Sequence, residues 1–167
     1  MSDDEKLLAE ARKFEQKLLN FFWRQGVSRS EGEDLVQETY LRLWRYRRDY
    51  RPTAKLSTFL FLLARQVRID ALRRQTRRAG REQGWGAERE KALRPESVTA
   101  PVDSREDVRW ALARLSESHR EVFELGVFQD LPYAEVAKIL CIPVGTVKSR
   151  MHNALKELKE LFDECGS

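Results

Sequence analysis

Long hydrophobic runs are the first thing missing from this chain. The longest, Phe59–Ala64, has six residues, far short of the ~20 that a bilayer-spanning helix needs, so no membrane insertion is expected. The acidic start, Met1–Lys6, leads into no apolar h-region, so no secretory signal is expected either. Cysteine is scarce. Cys141 and Cys165 show no CxxC spacing and no neighbouring histidine cluster, which argues against a disulfide framework and for a reduced, cytoplasmic protein. They read as one buried thiol behind an apolar helix face and one thiol in a frayed tail, rather than as a redox sensor. His119 and His152 lack ligand spacing, so no metal is expected. There is no Gly-rich phosphate loop, no HExxH, and no Ser, His and Asp in a recognisable frame. No catalytic residue and no cofactor are expected, and the chain does not read as an enzyme.

Charge is plentiful and unevenly spread. Charged residues make up 35% of the 167 and hydrophobic ones 41%, a balance that suits packed helices with wet outer faces. The net charge of +4 says little about partners, but its placement says more. Residues 65–81 hold seven arginines against one acid, Asp70. Such a run is often only a solvated face; carried by one helix, it also makes a local site for a polyanion.

Periodicity predicts an all-α protein of two helical domains, residues 5–78 and 107–163, joined by a linker at 79–106. Leu7, Leu8, Ala11, Phe14, Leu18 and Phe22 mark one helix from about Glu5 to Trp23, ended by Gly26. Ser28-Arg-Ser-Glu31 matches a capping box and opens a second helix to about Arg48, with Leu35, Val36, Tyr40, Leu43 and Trp44 buried. After Pro52, Ser57 is the expected N-cap of a third helix, from Thr58 to about Thr76. The linker holds three of the eight glycines and two of the five prolines, without periodicity. Beyond it, Val108, Leu112 and Leu115 mark a helix, and Ser116 or Ser118 caps the next, which buries Val122, Phe123, Leu125 and Val127.

Leu131–Lys156 is the most telling segment. It reads as two helices separated by Cys141-Ile-Pro143. The first has the stripe Tyr133, Val136, Ala137 and Leu140. The second has an apolar stripe of Val147, Met151, Leu155, Leu158 and Phe162, and a polar face of Lys148, Ser149, His152, Asn153 and Lys156. Residues 144–156 carry three basic side chains and no acid. Pro143, Gly145 and Thr146 stand at the start of that helix, where proline is tolerated and a hydroxyl caps or holds a phosphate. An amphipathic pair is ordinarily just a packing unit. A cationic, hydrogen-bonding face at the leading end suits a helix in a DNA major groove, and that reading is preferred.

Leu115-Ser-Glu-Ser-His-Arg-Glu-Val-Phe-Glu-Leu, Leu131-Pro-Tyr-Ala-Glu-Val-Ala-Lys-Ile-Leu and Gly145-Thr-Val-Lys-Ser-Arg together resemble region 4 of bacterial extracytoplasmic-function sigma factors. Asp34-Leu-Val-Gln-Glu-Thr-Tyr-Leu-Arg-Leu-Trp44 is similar to the family's region 2.2. Ser57-Thr-Phe-Leu-Phe-Leu-Leu-Ala-Arg-Gln-Val-Arg-Ile-Asp-Ala-Leu-Arg-Arg74 is similar to regions 2.3 and 2.4. The resemblance implies a sigma factor that directs core RNA polymerase to promoter DNA, contacts its largest and second-largest subunits, and answers to an anti-sigma factor. It implies polymerase contacts at Asp34, Gln37 and Glu38, whose bland alternative is a solvated face. It implies −35 contacts at Thr146, Lys148, Ser149, Arg150, His152, Asn153 and Lys156. It implies −10 contacts at Arg65, Gln66, Arg68, Asp70, Arg73, Arg74 and Arg77, near a flipped-base pocket bounded by the loop 51–57. Asp70 has a simpler alternative, pairing with Arg73 or Arg74. The linker, slightly acidic, would run near the RNA path.

The sequence departs from the family pattern at several points. Gln66 stands where the family often has Asn, Phe59 lies near a common Trp, Ser116 replaces a common Pro, and Cys141 takes the place of the turn glycine. His152 and Asn153 replace residues that are often Arg, and Asn153 suits an adenine edge. Three rivals remain. A plain DNA-binding regulator would not need the 34–44 block beside an arginine-rich helix, a decoy of the type known in the family would carry a receiver domain that this sequence does not show, and a helical enzyme would need carboxylates clustered around a metal.

Overall fold

The computed structural model describes residues 1–51, 55–81 and 105–165. All regular elements among them are helical: α1 (Asp3–Arg12), α2 (Glu15–Arg24), α3 (Arg29–Tyr46), α4 (Leu56–Arg81), α5 (Arg105–Arg114), α6 (Glu117–Phe123), a π-helical turn (Glu124–Phe128), α7 (Tyr133–Leu140) and α8 (Val144–Cys165). The linker expectation falls largely on residues 82–104, outside the described residues, as do residues 52–54 of the expected pocket loop.

The first helix breaks where periodicity predicted continuity. α1 stops at Arg12, and Phe14 precedes α2 with φ −94° and ψ 2°. The break lets both halves bury their apolar sides: Leu18 and Phe22 are fully buried in α2, and Ala11 closes α1 against Leu43, Leu60 and Leu63. α1 has its own capping box, in which Glu5 N–H donates to Ser2 Oγ and Ser2 N–H donates to the Glu5 carboxylate. Gly26, at φ 88°, turns the chain into α3. Ser28 caps α3 by accepting from Glu31 N–H, while the Glu31 carboxylate accepts from Gln75 on α4. α4 starts at Leu56, so Ser57 lies inside the first turn rather than capping it, and the helix runs past Thr76.

In the C-terminal half, Ser116 is the cap of α6, accepting from His119 N–H. The π-helical turn was not legible in the sequence. It brings Glu124 and Leu125 inward together and leaves Val127 half exposed, against the expected burial. The turn between α7 and α8 follows expectation. Cys141 sits at φ 56° and ψ 44°, left-handed, a conformation that costs an L-residue about 1–2 kcal/mol. Its thiol is exposed rather than buried, because the left-handed turn carries the side chain off the apolar face of α7. Cys141→Gly is expected to raise stability by about 0.5–1 kcal/mol, the relieved strain less glycine's unfolded-chain entropy. Urea unfolding of the full chain checks this, and a lowered midpoint would contradict it.

Candidate nucleic-acid and polymerase interfaces

α8 carries the face expected to enter a DNA groove. Val147 and Met151 are buried with Val122 of α6 and Val136, Ala137 and Leu140 of α7, and Ala154 and Leu158 are buried with Ala111 and Leu112 of α5 and with Leu115. Ala154 replaces the expected Leu155, which is half exposed. On the other side, Lys148, Ser149, His152, Asn153 and Lys156 are all exposed, at steps of three and four. Thr146 and Arg150 are half-buried and flank that row. Pro143 C=O accepts from Thr146 N–H at 3.0 Å and from Val147 N–H at 3.2 Å, so the helix starts cleanly at the end that would meet DNA. From Thr146 to Lys156 the face is about 15 Å long, enough to cross a major groove about 12 Å wide.

α4 carries the arginine-rich candidate. Gln66, Arg73, Arg74 and Arg77 are exposed, and Arg65, Arg68 and Asp70 are half-buried. Asp70 is not primarily a partner of its own helix. Arg42 Nη2 on α3 donates to Asp70 Oδ2 at 2.7 Å and to Glu38 Oε1 at 3.1 Å, whereas Arg73 lies 3.9 Å from Asp70 Oδ1. Arg74 donates to Glu38 Oε2 at 3.3 Å. Burial works against the Arg42 charge, but its bonds to Asp70 and Glu38 outweigh this and hold its pKa above the usual value. Arg65 is committed elsewhere: its Nε donates to Glu121 Oε1 on α6 at 2.9 Å.

Asp34 and Gln37 are exposed on α3. Glu38, by contrast, turns toward α4 through Arg42 and Arg74. The face that Asp34 and Gln37 begin continues at Leu41 and Trp44, which are 59% and 41% exposed. Leu8, Gln37, Tyr40, Leu41 and Trp44 line a shallow groove of about 420 Å³. Trp44 was expected in the core. Leu43 is buried as expected but Trp44 is not, and the 34–37–41–44 spacing shows why: these residues share one outward face. Arg47 stacks 4.0 Å from the Trp44 ring and is held there by Asp4 at 2.8 Å. Tyr40, pushed up to about 12 by burial and by Glu15, keeps its phenol neutral, and its hydroxyl donates to Ala11 C=O at 3.4 Å. Continuing the period of Asp34 and Gln37 would have found Leu41 and Trp44 in the sequence.

Among the described residues, no group of His, Cys, Asp and Glu is placed to hold a metal, and no helix is long and apolar enough to cross a membrane.

Two family models match the chain: Sigma-70 region 2 over residues 11–78 and Sigma-70, region 4 over residues 105–158. The chain is similar to the ECF RNA polymerase sigma factor RpoE of Cereibacter sphaeroides, 31% identical over 161 residues, covering 94% of this chain and 87% of that protein. It is also similar to the ECF RNA polymerase sigma factor SigL of Mycobacterium tuberculosis, 35% identical over 140 residues, covering 82% and 77%. Among solved structures it matches the sigma factor RpoE from Bartonella quintana in complex with the anti-sigma factor NepR, with a TM-score of 0.78 and 26% identity, covering 93% of this chain and 95% of that one.

Proposed function

The chain belongs to the extracytoplasmic-function sigma factors of the sigma-70 family, and from that premise we propose how its surfaces divide the work of promoter recognition. As a sigma factor it directs core RNA polymerase to promoters and catalyses no reaction of its own. The exposed face of α8 reads the −35 element. Lys148 and Lys156 neutralise phosphates, and His152 and Asn153 reach base edges. On α4, Arg73, Arg74 and Arg77 track the backbone at the −10 element, Arg65 and Arg68 add to them, and Gln66 and Asp70 border the base-holding site. Asp34, Gln37, Leu41 and Trp44 dock on the polymerase's largest subunit, where polar groups orient the contact and the apolar pair fills it. Glu38 sets the register of α3 on α4 behind that face, and the second-largest subunit is a further contact. The protein works in the cytoplasm beside its polymerase. The Bartonella relative was solved with an anti-sigma factor, and a partner of that kind is proposed to restrain this chain as well.

The observation that carries the −35 reading is the row from Lys148 to Lys156, exposed at helical spacing on a helix whose opposite side is buried. Run-off transcription on fragmented genomic DNA, with core polymerase and with or without the protein, tests the whole reading. Discrete transcripts that require the protein are expected, and their upstream sequences give both promoter elements. DNA binding without any such transcripts would make the chain a plain DNA-binding regulator instead.

A further inference from the structure

Trp44 ends the outward face of α3 and is 41% exposed. A side chain so placed on a helix surface ordinarily samples several rotamers, and ordering one of them on binding costs affinity. Here the ring is already held. The Arg47 guanidinium lies over it, 4.0 Å from the ring centre. Stacking uses the flat face of a guanidinium and leaves its N–H edge free for hydrogen bonds. That edge is occupied at two points. Nη1 donates to Trp44 C=O at 2.7 Å, and Nε donates to Asp4 Oδ2 at 2.8 Å. The first bond caps the end of α3, where carbonyls lack helical partners. The second reaches back 43 positions to α1.

Asp4 is available for this because its neighbours are engaged elsewhere. Ser2 and Glu5 form the capping box of α1, and Asp3 pairs with Lys6 at 3.4 Å. The box fixes the first turn of α1, and with it the direction in which Asp4 projects. One turn further along the same side, Leu8 lines the groove shared by Gln37, Tyr40, Leu41 and Trp44. Asp4 and Leu8 both precede residues 11–78, the segment similar to region 2. The start of α1 thus adds one wall to the groove and a carboxylate behind its tryptophan.

A staple between α1 and α3 would be the plainer role for this pair, but the fold has little need of one. Asp4 is half-exposed, and such ion pairs contribute little stability. α1 is already anchored: Ala11 is fully buried with Leu43, Leu60 and Leu63, and its carbonyl accepts from the Tyr40 hydroxyl. The ring that the pair holds, by contrast, stands in solvent.

We infer that Arg47, locked by Asp4, is a positioning residue that fixes the Trp44 indole in the orientation in which polymerase receives it. Holding the ring in the free protein removes an ordering cost from docking, which for one side chain is worth about three- to tenfold in affinity. The inference rests on the docking reading above for what the indole meets; the holding itself is measured without polymerase.

NMR relaxation of the Trp44 indole N–H in the full chain comes first, with the signal assigned by its absence in Trp44→Ala. A rigid indole in the wild type and a mobile one in Asp4→Ala is the expected result, with the urea midpoint little changed. An indole mobile in both, or rigid in both, would overturn the holding. The second measurement is core-polymerase affinity in a double-mutant cycle. Asp4→Ala is expected to weaken binding about three- to tenfold in the wild-type background and by less than about twofold in the Trp44→Ala background. An equal loss in both backgrounds would show that Asp4 acts without the tryptophan, and no loss in either would show that the ring needs no holding; each result overturns the positioning role. Arg47→Lys keeps the charge but loses the flat fork, and is expected to bind as weakly as Asp4→Ala; wild-type affinity there would also overturn it. Normal polymerase binding by Trp44→Ala would sink the docking reading, while the indole relaxation still decides the holding.

Discussion

Leu43→Ala is expected to lower the stability of the chain by about 2–5 kcal/mol, while Trp44→Ala, one residue along, leaves it nearly unchanged. Leu43 is fully buried with Ala11, Leu60 and Leu63. Truncating it loses the transfer energy of the removed methyl groups and opens a cavity between three helices. A small helical domain has only about 5–15 kcal/mol in total, so a large part of the protein would lose its cooperative transition near physiological temperature. Trp44 is 41% exposed and rests on Arg47 and the groove rim, so its removal leaves little void. Its cost appears in binding. An aromatic at the centre of a docking face is typically worth about 2 kcal/mol or more, roughly thirtyfold in affinity. Urea unfolding and core-polymerase affinity, measured side by side, check both. Weak polymerase binding with a shifted melting transition for Trp44→Ala would place the tryptophan in the core after all. Normal binding with normal stability would remove it from the interface.

On α8, Asn153→Ala and Lys148→Ala are expected to fail in different ways. Asn153 is exposed on the face of α8 proposed to enter the groove, and a side-chain amide meets an adenine edge with two hydrogen bonds, worth about 1–3 kcal/mol of discrimination. Its loss relaxes one −35 position by roughly tenfold or more and leaves the salt dependence alone. Lys148 is also exposed but has one compact charge and no planar pattern to match a base. Its loss weakens every sequence alike and reduces the slope of log affinity against log salt by about 0.9. Selection from a randomised −35 library, with titrations at several salt concentrations, separates the two. An unchanged base preference for Asn153→Ala would take that residue off the reading face.

The sequence alone determined the helical class, the turn at residues 141–143, the two-faced character of α8 and the cap at Ser28, and it narrowed the α6 cap to Ser116 or Ser118. Each is a local matter of period, cap chemistry or backbone conformation, complete within a few residues. The left-handed Cys141 was foreseeable for the same reason. Residues whose burial depends on a neighbouring helix were less legible. Leu155 and Val127 fit an apolar stripe yet face outward, because Ala154 lets α8 approach its partners closely and the π-helical turn rotates Val127 away. Trp44 was misread because hydrophobicity does not distinguish a core residue from one waiting for a partner. The pairs Arg42–Asp70, Arg65–Glu121 and Arg24–Glu124 join residues 28, 56 and 100 positions apart. Charges spread along amphipathic helices have many possible mates, and sequence spacing sets no preference among those on different helices. Only the packing of α3 on α4, and of the C-terminal helices on α2 and α4, chose which carboxylate each arginine meets.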